Sequence, residues 1–319
     1  MPVMEVGIAP PTANKIRVDA RWRFYPRARD ALGAVLDALG VRDVLLPAYV
    51  GWSSREGSGV FDPIQERALN SRFYKLRPDL TVDLEDVARL LETAPKAAVL
   101  ILIHYFGRPD PSLENIVRLA RSYQVPVVED AAHAYFSAEV SGSCGKAGDA
   151  VLYSIHKMFD VFEGGVLKLN TAAFETRIPE GAPGQVREAR WTHVFAEAPE
   201  AHAVARLRNY AAVGRLVEQL APAVVPLWEK LPEGTIPQTF PVRIANNALR
   251  DRLYFGLKDE GFVVASLYHT LILPLKESDF PASFSASRTI FNLPVAPSMT
   301  EADIERLGRS MVAIVGHVT

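Results

Sequence analysis

Apolar residues recur along this chain in two alternating rhythms, helical and strand-like. In "RARDALGAVLDALG", Leu32, Val35, Leu36 and Leu39 fall at helical spacing, and Gly40 follows where a helix C-terminus often places glycine. "DVLLPAYV" then predicts a buried strand. "LEDVARLLETA" and "PSLENIVRLARSYQ" predict amphipathic helices, and "AAVLILIHYFG" and "VPVVEDAA" predict buried strands between and after them. "DAVLYSIH" and "GGVLKLN" add two more strands, joined by a loop that carries Lys157. Continuous apolar strands separated by helices point to an α/β fold. Its mostly parallel central sheet would have helices on both faces and ligands outside the carboxyl ends of the strands.

From about residue 200 the rhythm changes. A long helical pattern, "AVARLRNYAAVGRLVEQL", precedes the strand-like "QTFPVRIA", the helix "ALRDRLYFGLKDEG", the segment "VVASLYHTL", the strand "TIFNLPV" and a closing helix. Thr300 and Asp303 have the spacing of a capping box before that helix. Residues 1–200 are therefore expected to form a large domain and 201–319 a smaller C-terminal α/β domain. "RIPEGAPGQ" is expected to be an exposed loop near the boundary.

The 319 residues are 49% hydrophobic and 23% charged with a net charge of -2, which lacks the basic excess of a nucleic-acid binder or of a protein drawn to anionic membranes. Cys144 is the only cysteine, so neither an intrachain disulfide nor a cysteine metal cluster can form, and Gly142 and Gly145 place it in a loop. "MPVMEVGIAPPTANK" has no basic patch leading into an apolar stretch, and "AAVLILI" is too short to span a bilayer. A cytoplasmic protein is expected. His104, His133, His156 and His269 have no recognised metal-ligand spacing, so no metal site is expected.

Three polar residues fall at or beyond the carboxyl ends of expected strands: Asp130, Ser154 and Lys157. Each alone reads as a turn former or a solvated charge. Together they suit pyridoxal 5'-phosphate (PLP), which takes a lysine amine for its Schiff base, an acid against its ring nitrogen, and hydroxyl and N–H donors for its phosphate. Ser154 to Lys157 also matches the S-x-x-K of serine acyl-enzymes, but the companion S-D-N and K-T-G motifs are absent.

"HYFGRPDPSLENIVRLARSYQVPVVEDAAHA", "GDAVLYSIHKMFDVFEGGVL" and "RTIFNLPVAPSMTEADIERL" resemble the DegT/StrS-type PLP-dependent sugar aminotransferases, members of the aspartate-aminotransferase superfamily with fold type I. The resemblance runs from about Arg27 to about Val315. It implies that Asp130 faces the ring nitrogen, His133 lies against the cofactor, Ser154 binds phosphate and Lys157 forms the covalent link. Where the family carries a Ser-Gly-Thr phosphate loop this chain has "PRARDAL", so Ala28 and Arg29 would offer N–H groups at a helix N-terminus, with the Arg29 guanidinium as a candidate charge partner. For the ring-stacking aromatic, Tyr49 and Trp52 are both candidates. "LYH" at 267–269 resembles a pocket-lining segment, and Glu163 is expected to set the loop before Gly164 and Gly165.

The interval from Ser154 to Lys157 is shorter than the commoner family pattern. A G-x-N-Y-R-like segment expected between Asn170 and Glu200, which reaches the neighbouring subunit in the family, is not found. The resemblance implies amino transfer from glutamate or glutamine to a nucleotide-linked keto sugar, in polysaccharide or aminosugar biosynthesis, by a homodimer. Alternatives are a PLP-dependent sugar dehydratase, which has histidine in place of the lysine, and a non-catalytic member that binds a ligand or partner.

Overall fold

The computed structural model describes residues 21–159, 161, 164–178, 199–265 and 267–316. Glu163, the expected loop "RIPEGAPGQ" from Pro179 onward, and most of the stretch between Asn170 and Glu200 lie outside the described residues.

The larger sheet has seven strands: β1 (Trp22–Tyr25), β2 (Asp43–Pro47), β3 (Asn70–Tyr74), β4 (Ala98–Ile103), β5 (Val127–Asp130), β6 (Ala150–Ser154) and β7 (Gly165–Leu169). Their spatial order is β1-β7-β6-β5-β4-β2-β3. The pairs from β3 across to β6 are parallel, whereas β7 returns antiparallel to β6 and β1 closes the edge antiparallel to β7. The expected mostly parallel sheet is thus present. β4 reads AVLILI without a polar interruption and every one of its residues is buried, as a strand covered on both faces requires.

Helices α1 (Ala28–Leu39), α2 (Asp62–Glu66), α3 (Leu84–Glu92), α4 (Leu113–Ser122), α5 (Tyr135–Glu139) and α6 (Ala172–Arg177) connect or cover these strands. α3 buries Val87 and Leu91 and begins at Asp83, whose carboxylate accepts from the Glu85 and Asp86 N–H groups at 3.1 and 3.2 Å. α4 buries Leu113, Ile116, Val117 and Ala120, a helical stripe. α1 ends at Gly40 in the left-handed conformation, φ 62°, as the sequence suggests.

The second sheet is small and antiparallel, in the order β10-β9-β8, from β8 (Val224–Pro226), β9 (Thr239–Ile244) and β10 (Ile290–Pro294). It packs with α7 (Pro199–Glu218), α8 (Asn247–Asp259) and α10 (Glu301–Gly316), around a core that includes Val242, Leu253, Leu257, Phe291, Leu293, Leu307 and Met311. α9 (Pro281–Thr289) leads directly into β10. The capping box before α10 forms: Thr300 N–H donates to Asp303 Oδ2 at 2.9 Å, and Asp303 N–H to Thr300 Oγ1 at 3.2 Å. α7 spans both cores, with Ala203 in the larger and Val213 and Val217 in the smaller.

Candidate active site

The carboxyl ends of β5 and β6 are neighbours because the strands pair in parallel, with Asp130 opposite Leu152. That register places Asp130 two residues short of the level of Ser154, so both end at the same edge of the sheet. β6 then turns through a 3-10 helix, Ile155–Lys157, and β7 returns with Gly165 opposite Ser154. The amine that follows β6 is therefore carried back over the end of β5. Lys157 Nζ lies 3.1 Å from His133 Nε2.

Asp130 is buried, and its Oδ1 accepts from the Ala132 N–H at 2.9 Å. Burial raises its pKa above the ordinary carboxylate value, while the Ala132 N–H and the charges of Lys157 and His104 work the other way. The His133 imidazole is held well below its usual pKa by burial first and by Lys157 second. Its Nδ1 is buried without a hydrogen-bond partner among the described residues, and its ring lies nearly parallel to Phe106, 6.1 Å between centroids at 12°. Lys157 retains solvent access at the edge of the sheet although protein crowds its ammonium. Desolvation lowers its pKa, Asp130 and Glu56 raise it, and Arg29 adds to the lowering. A lysine depressed in this way keeps more of its amine neutral and nucleophilic than a free one.

Ser154 is buried at the end of β6, with Oγ 3.3 Å from His156 Nδ1. On the other side, α1 brings its N-terminus against β7. A Cβ on Gly165 would lie 2.2 Å from the Arg27 carbonyl and 2.5 Å from the Ala28 nitrogen, so only glycine permits this approach. Ala28 and Arg29 contribute first-turn N–H groups, which a helix leaves without internal acceptors. The Arg29 guanidinium is already engaged: it pairs with Asp62 at 2.9 Å and donates to the Glu56 carbonyl at 2.6 Å. What this helix end offers an anion is backbone N–H rather than that side-chain charge.

The two aromatic candidates after β2 diverge. Tyr49 is completely buried, its hydroxyl donating to the Leu267 carbonyl at 2.7 Å and accepting from the Tyr268 N–H at 2.9 Å. Trp52 is 47% exposed.

One carboxylate beside the site carried no signal in the sequence. Glu129 accepts from His104 Nε2 at 2.8 Å and from the N–H groups of Gly145 and Gly148 at 2.8 and 2.7 Å. Cys144 joins this buried group, the potential ligand atoms of His104, Glu129 and Cys144 lying within 4.8 Å of one another. The hydrogen bonds already engage both carboxylate oxygens and both imidazole nitrogens, His104 Nδ1 accepting from the Asp110 N–H at 3.3 Å. The cluster accordingly reads as a support for the 144–148 loop.

Comparison with known proteins agrees with this arrangement: residues 30–196 match the DegT/DnrJ/EryC1/StrS aminotransferase family. The chain belongs to that family. Over 86 residues, 26% of this chain and 23% of the relative, it is 31% identical to the dTDP-4-amino-4,6-dideoxy-D-glucose transaminase of Shigella dysenteriae. The match thus spans under a quarter of that relative's length. The aminotransferase TlmJ from Streptoalloteichus hindustanus superposes with a TM-score of 0.76 at 20% identity, over 94% of this chain and 87% of TlmJ. DesI, solved in the presence of its TDP-sugar product, gives 0.75 at 20% identity, over 92% of this chain and 80% of DesI. At these identities the structural likeness carries the fold type I architecture of the DegT/DnrJ/EryC1/StrS family. No described helix is long and apolar enough to cross a membrane.

The family implies PLP, and the site's chemistry fits it. A depressed lysine amine, a buried carboxylate that accepts one hydrogen bond among the described residues, and an imidazole nitrogen without a partner among them converge at one sheet edge beside a helix N-terminus.

Proposed function

We propose that this protein is a PLP-dependent aminotransferase that moves an amino group from glutamate or glutamine to a nucleotide-linked keto sugar. The observation that carries the reading is the convergence of Lys157, His133 and Asp130, three groups whose pKa values are all displaced by desolvation of their ionisable atoms. Lys157 would hold the cofactor covalently, Asp130 would face its ring nitrogen, His133 would lie against it, and Ser154 with the Ala28 and Arg29 N–H groups would bind its phosphate. Bound there, PLP supplies an electron sink for the charge left when a substrate carbon loses its proton.

The residues' own tasks follow from their environments. Asp130, as a carboxylate, stabilises positive charge opposite it in a setting of low dielectric. His133, neutral near pH 7 because burial depresses it, meets Lys157 at Nε2, and while the ammonium donates there the ring carries its proton on Nδ1, which has no partner among the described residues. Lys157, once free, has an amine that can take a proton and return it.

The lysine, rather than the adjacent histidine, stands against His133, while His156 turns to Ser154, which supports the aminotransferase over the dehydratase reading. The sugar-nucleotide class rests on the Shigella transaminase and on the TDP-sugar product of DesI, each a relative rather than this chain. We further take residues 1–200 and 201–319 as the two domains and a symmetric homodimer as the working unit. Light scattering showing a fully active PLP-loaded monomer would overturn the dimer.

Visible absorbance tests the function. Purified protein given PLP should acquire a cofactor band that shifts on adding glutamate or glutamine and recovers with a nucleotide-linked keto sugar. A protein that cannot be reconstituted would favour the non-catalytic binding reading.

A further inference from the structure

The segment following α8 reaches back across the molecule and lies along the end of β2. Trp52 N–H donates to the Thr270 carbonyl at 3.0 Å, Ile272 N–H to the Val50 carbonyl at 3.1 Å, and Gly51 faces Leu271 in an antiparallel bridge. The Tyr49 hydroxyl clasps the same segment through the Leu267 carbonyl and the Tyr268 N–H. Together these bonds fix the backbone of 267–272 against 49–52.

The Tyr268 ring is thereby laid directly on Gly51. A Cβ at residue 51 would sit 1.9 Å from Tyr268 Cδ1 and 2.4 Å from Cγ, well inside contact distance. Tyr268 occupies the volume in which any other residue at 51 would place its side chain. The ring packs edge-on against Tyr49, centroids 5.3 Å apart at 64°. Because β2 runs parallel to β4, β5 and β6, Gly51 and the Tyr268 ring upon it lie off the same carboxyl-end edge of the sheet as Asp130 and Ser154, and the upward shift of the Tyr268 phenol, by burial first and the charge of Asp130 second, agrees with that placement. Trp52, by contrast, is half in solvent, and the Tyr49 hydroxyl is committed on both sides.

We infer that Tyr268 is the aromatic residue of the cofactor pocket, carried there from the C-terminal half of the chain into the space that Gly51 leaves open. The inference rests on the PLP reading above. Its physical content is that a large flat apolar ring beside a pyridine ring favours binding through stacking and water exclusion, whichever part of the chain delivers it.

The test is the equilibrium dissociation constant of PLP, followed by absorbance of the bound cofactor, with far-ultraviolet circular dichroism to verify folding. Tyr268→Leu keeps bulk over Gly51 but removes the aromatic face, and it should weaken PLP binding by about tenfold. Tyr268→Phe should keep wild-type affinity, because the ring remains. Trp52→Leu should weaken binding less than Tyr268→Leu does. A folded Tyr268→Leu protein with the wild-type constant, alongside a wild type that binds PLP and is trapped by borohydride, would overturn this inference alone. Loss of affinity in Tyr268→Phe equal to that in Tyr268→Leu would also overturn it, since the hydroxyl and not the ring would then matter. A wild type that takes up no PLP would remove the functional reading and this inference together.

Discussion

Glu129 and Asp130 follow one another on β5, and because successive strand side chains alternate faces they serve opposite sides of the same sheet. Glu129 is surrounded by donors: His104 and the N–H groups of Gly145 and Gly148. Burial works to raise its pKa, but those bonds prevail and the net shift is downward. Asp130 accepts a single described hydrogen bond, from Ala132, and there burial prevails, so its pKa is raised. Two buried carboxylates thus differ in how many described donors their oxygens meet. Saturation suits Glu129 to a structural task, and the single described bond of Asp130 is compatible with the ligand-facing role proposed for it.

The sharpest break between the two sides comes from the Lys157 amine, which meets His133. Lys157→Ala should abolish the borohydride-stable attachment of PLP entirely while leaving the fold intact, because this side chain carries little core packing; mass spectrometry of the reduced protein reads the outcome. Covalent trapping of normal extent in the variant would move the attachment to another lysine.

Asp130→Asn should still admit PLP but slow the glutamate half-reaction by about a hundredfold or more, the scale of a lost charged partner in catalysis. Stopped-flow absorbance measures it, and an unchanged rate would end the assignment.

Glu129→Gln is the counterpart on the other face. It should lower stability by about 1–3 kcal/mol in urea titrations, since an amide cannot accept from all three donors, with far less effect on the half-reaction than Asp130→Asn. The sign of its pH dependence follows from the depressed pKa. The unfolded chain binds the proton first, so the stabilisation is complete above the unfolded value near 4.5 and is lost as the pH falls through the lower folded value. The variant should lack that part of the acid limb.

Cys144→Ala should have the smallest effect, about 1 kcal/mol for a small buried apolar group, and a chelator should not alter the melting temperature of either protein. A large chelator effect would turn the His104, Glu129 and Cys144 cluster into a metal site.

Much of this was legible from pattern and from a few strand-end residues. The strands β2, β4, β5, β6 and β7 announce themselves as apolar runs, and the helices between them as stripes. β3, reading NSRFY, does not, because this edge strand is only partly buried and needs no continuous apolar sequence, and β1, reading WRFY, is mostly buried but is only four residues long and broken by a charged arginine. Asp130, Ser154 and Lys157 could be picked out because each closes or follows a readable strand. Tyr268 could be placed only as part of a segment resembling a pocket lining. Its contact with Gly51 joins positions more than 200 residues apart, and no local spacing encodes it. Glu129 was hidden for a related reason: two of its three donors are backbone N–H groups of a glycine-rich loop, which leave no mark in residue identity, and the third, His104, lies 25 residues away.

Gly165 has a consequence of a different order. With no side chain between β7 and the start of α1, the spacing of two rigid elements is set by backbone touching backbone, the shortest and least compressible gauge a protein has. The hairpin bearing Lys157 and the helix end bearing Ala28 are therefore referenced to one another directly, not through a chain of adjustable rotamers. One methyl group there would act as a shim, tilting an entire helix and detuning every distance measured across the site.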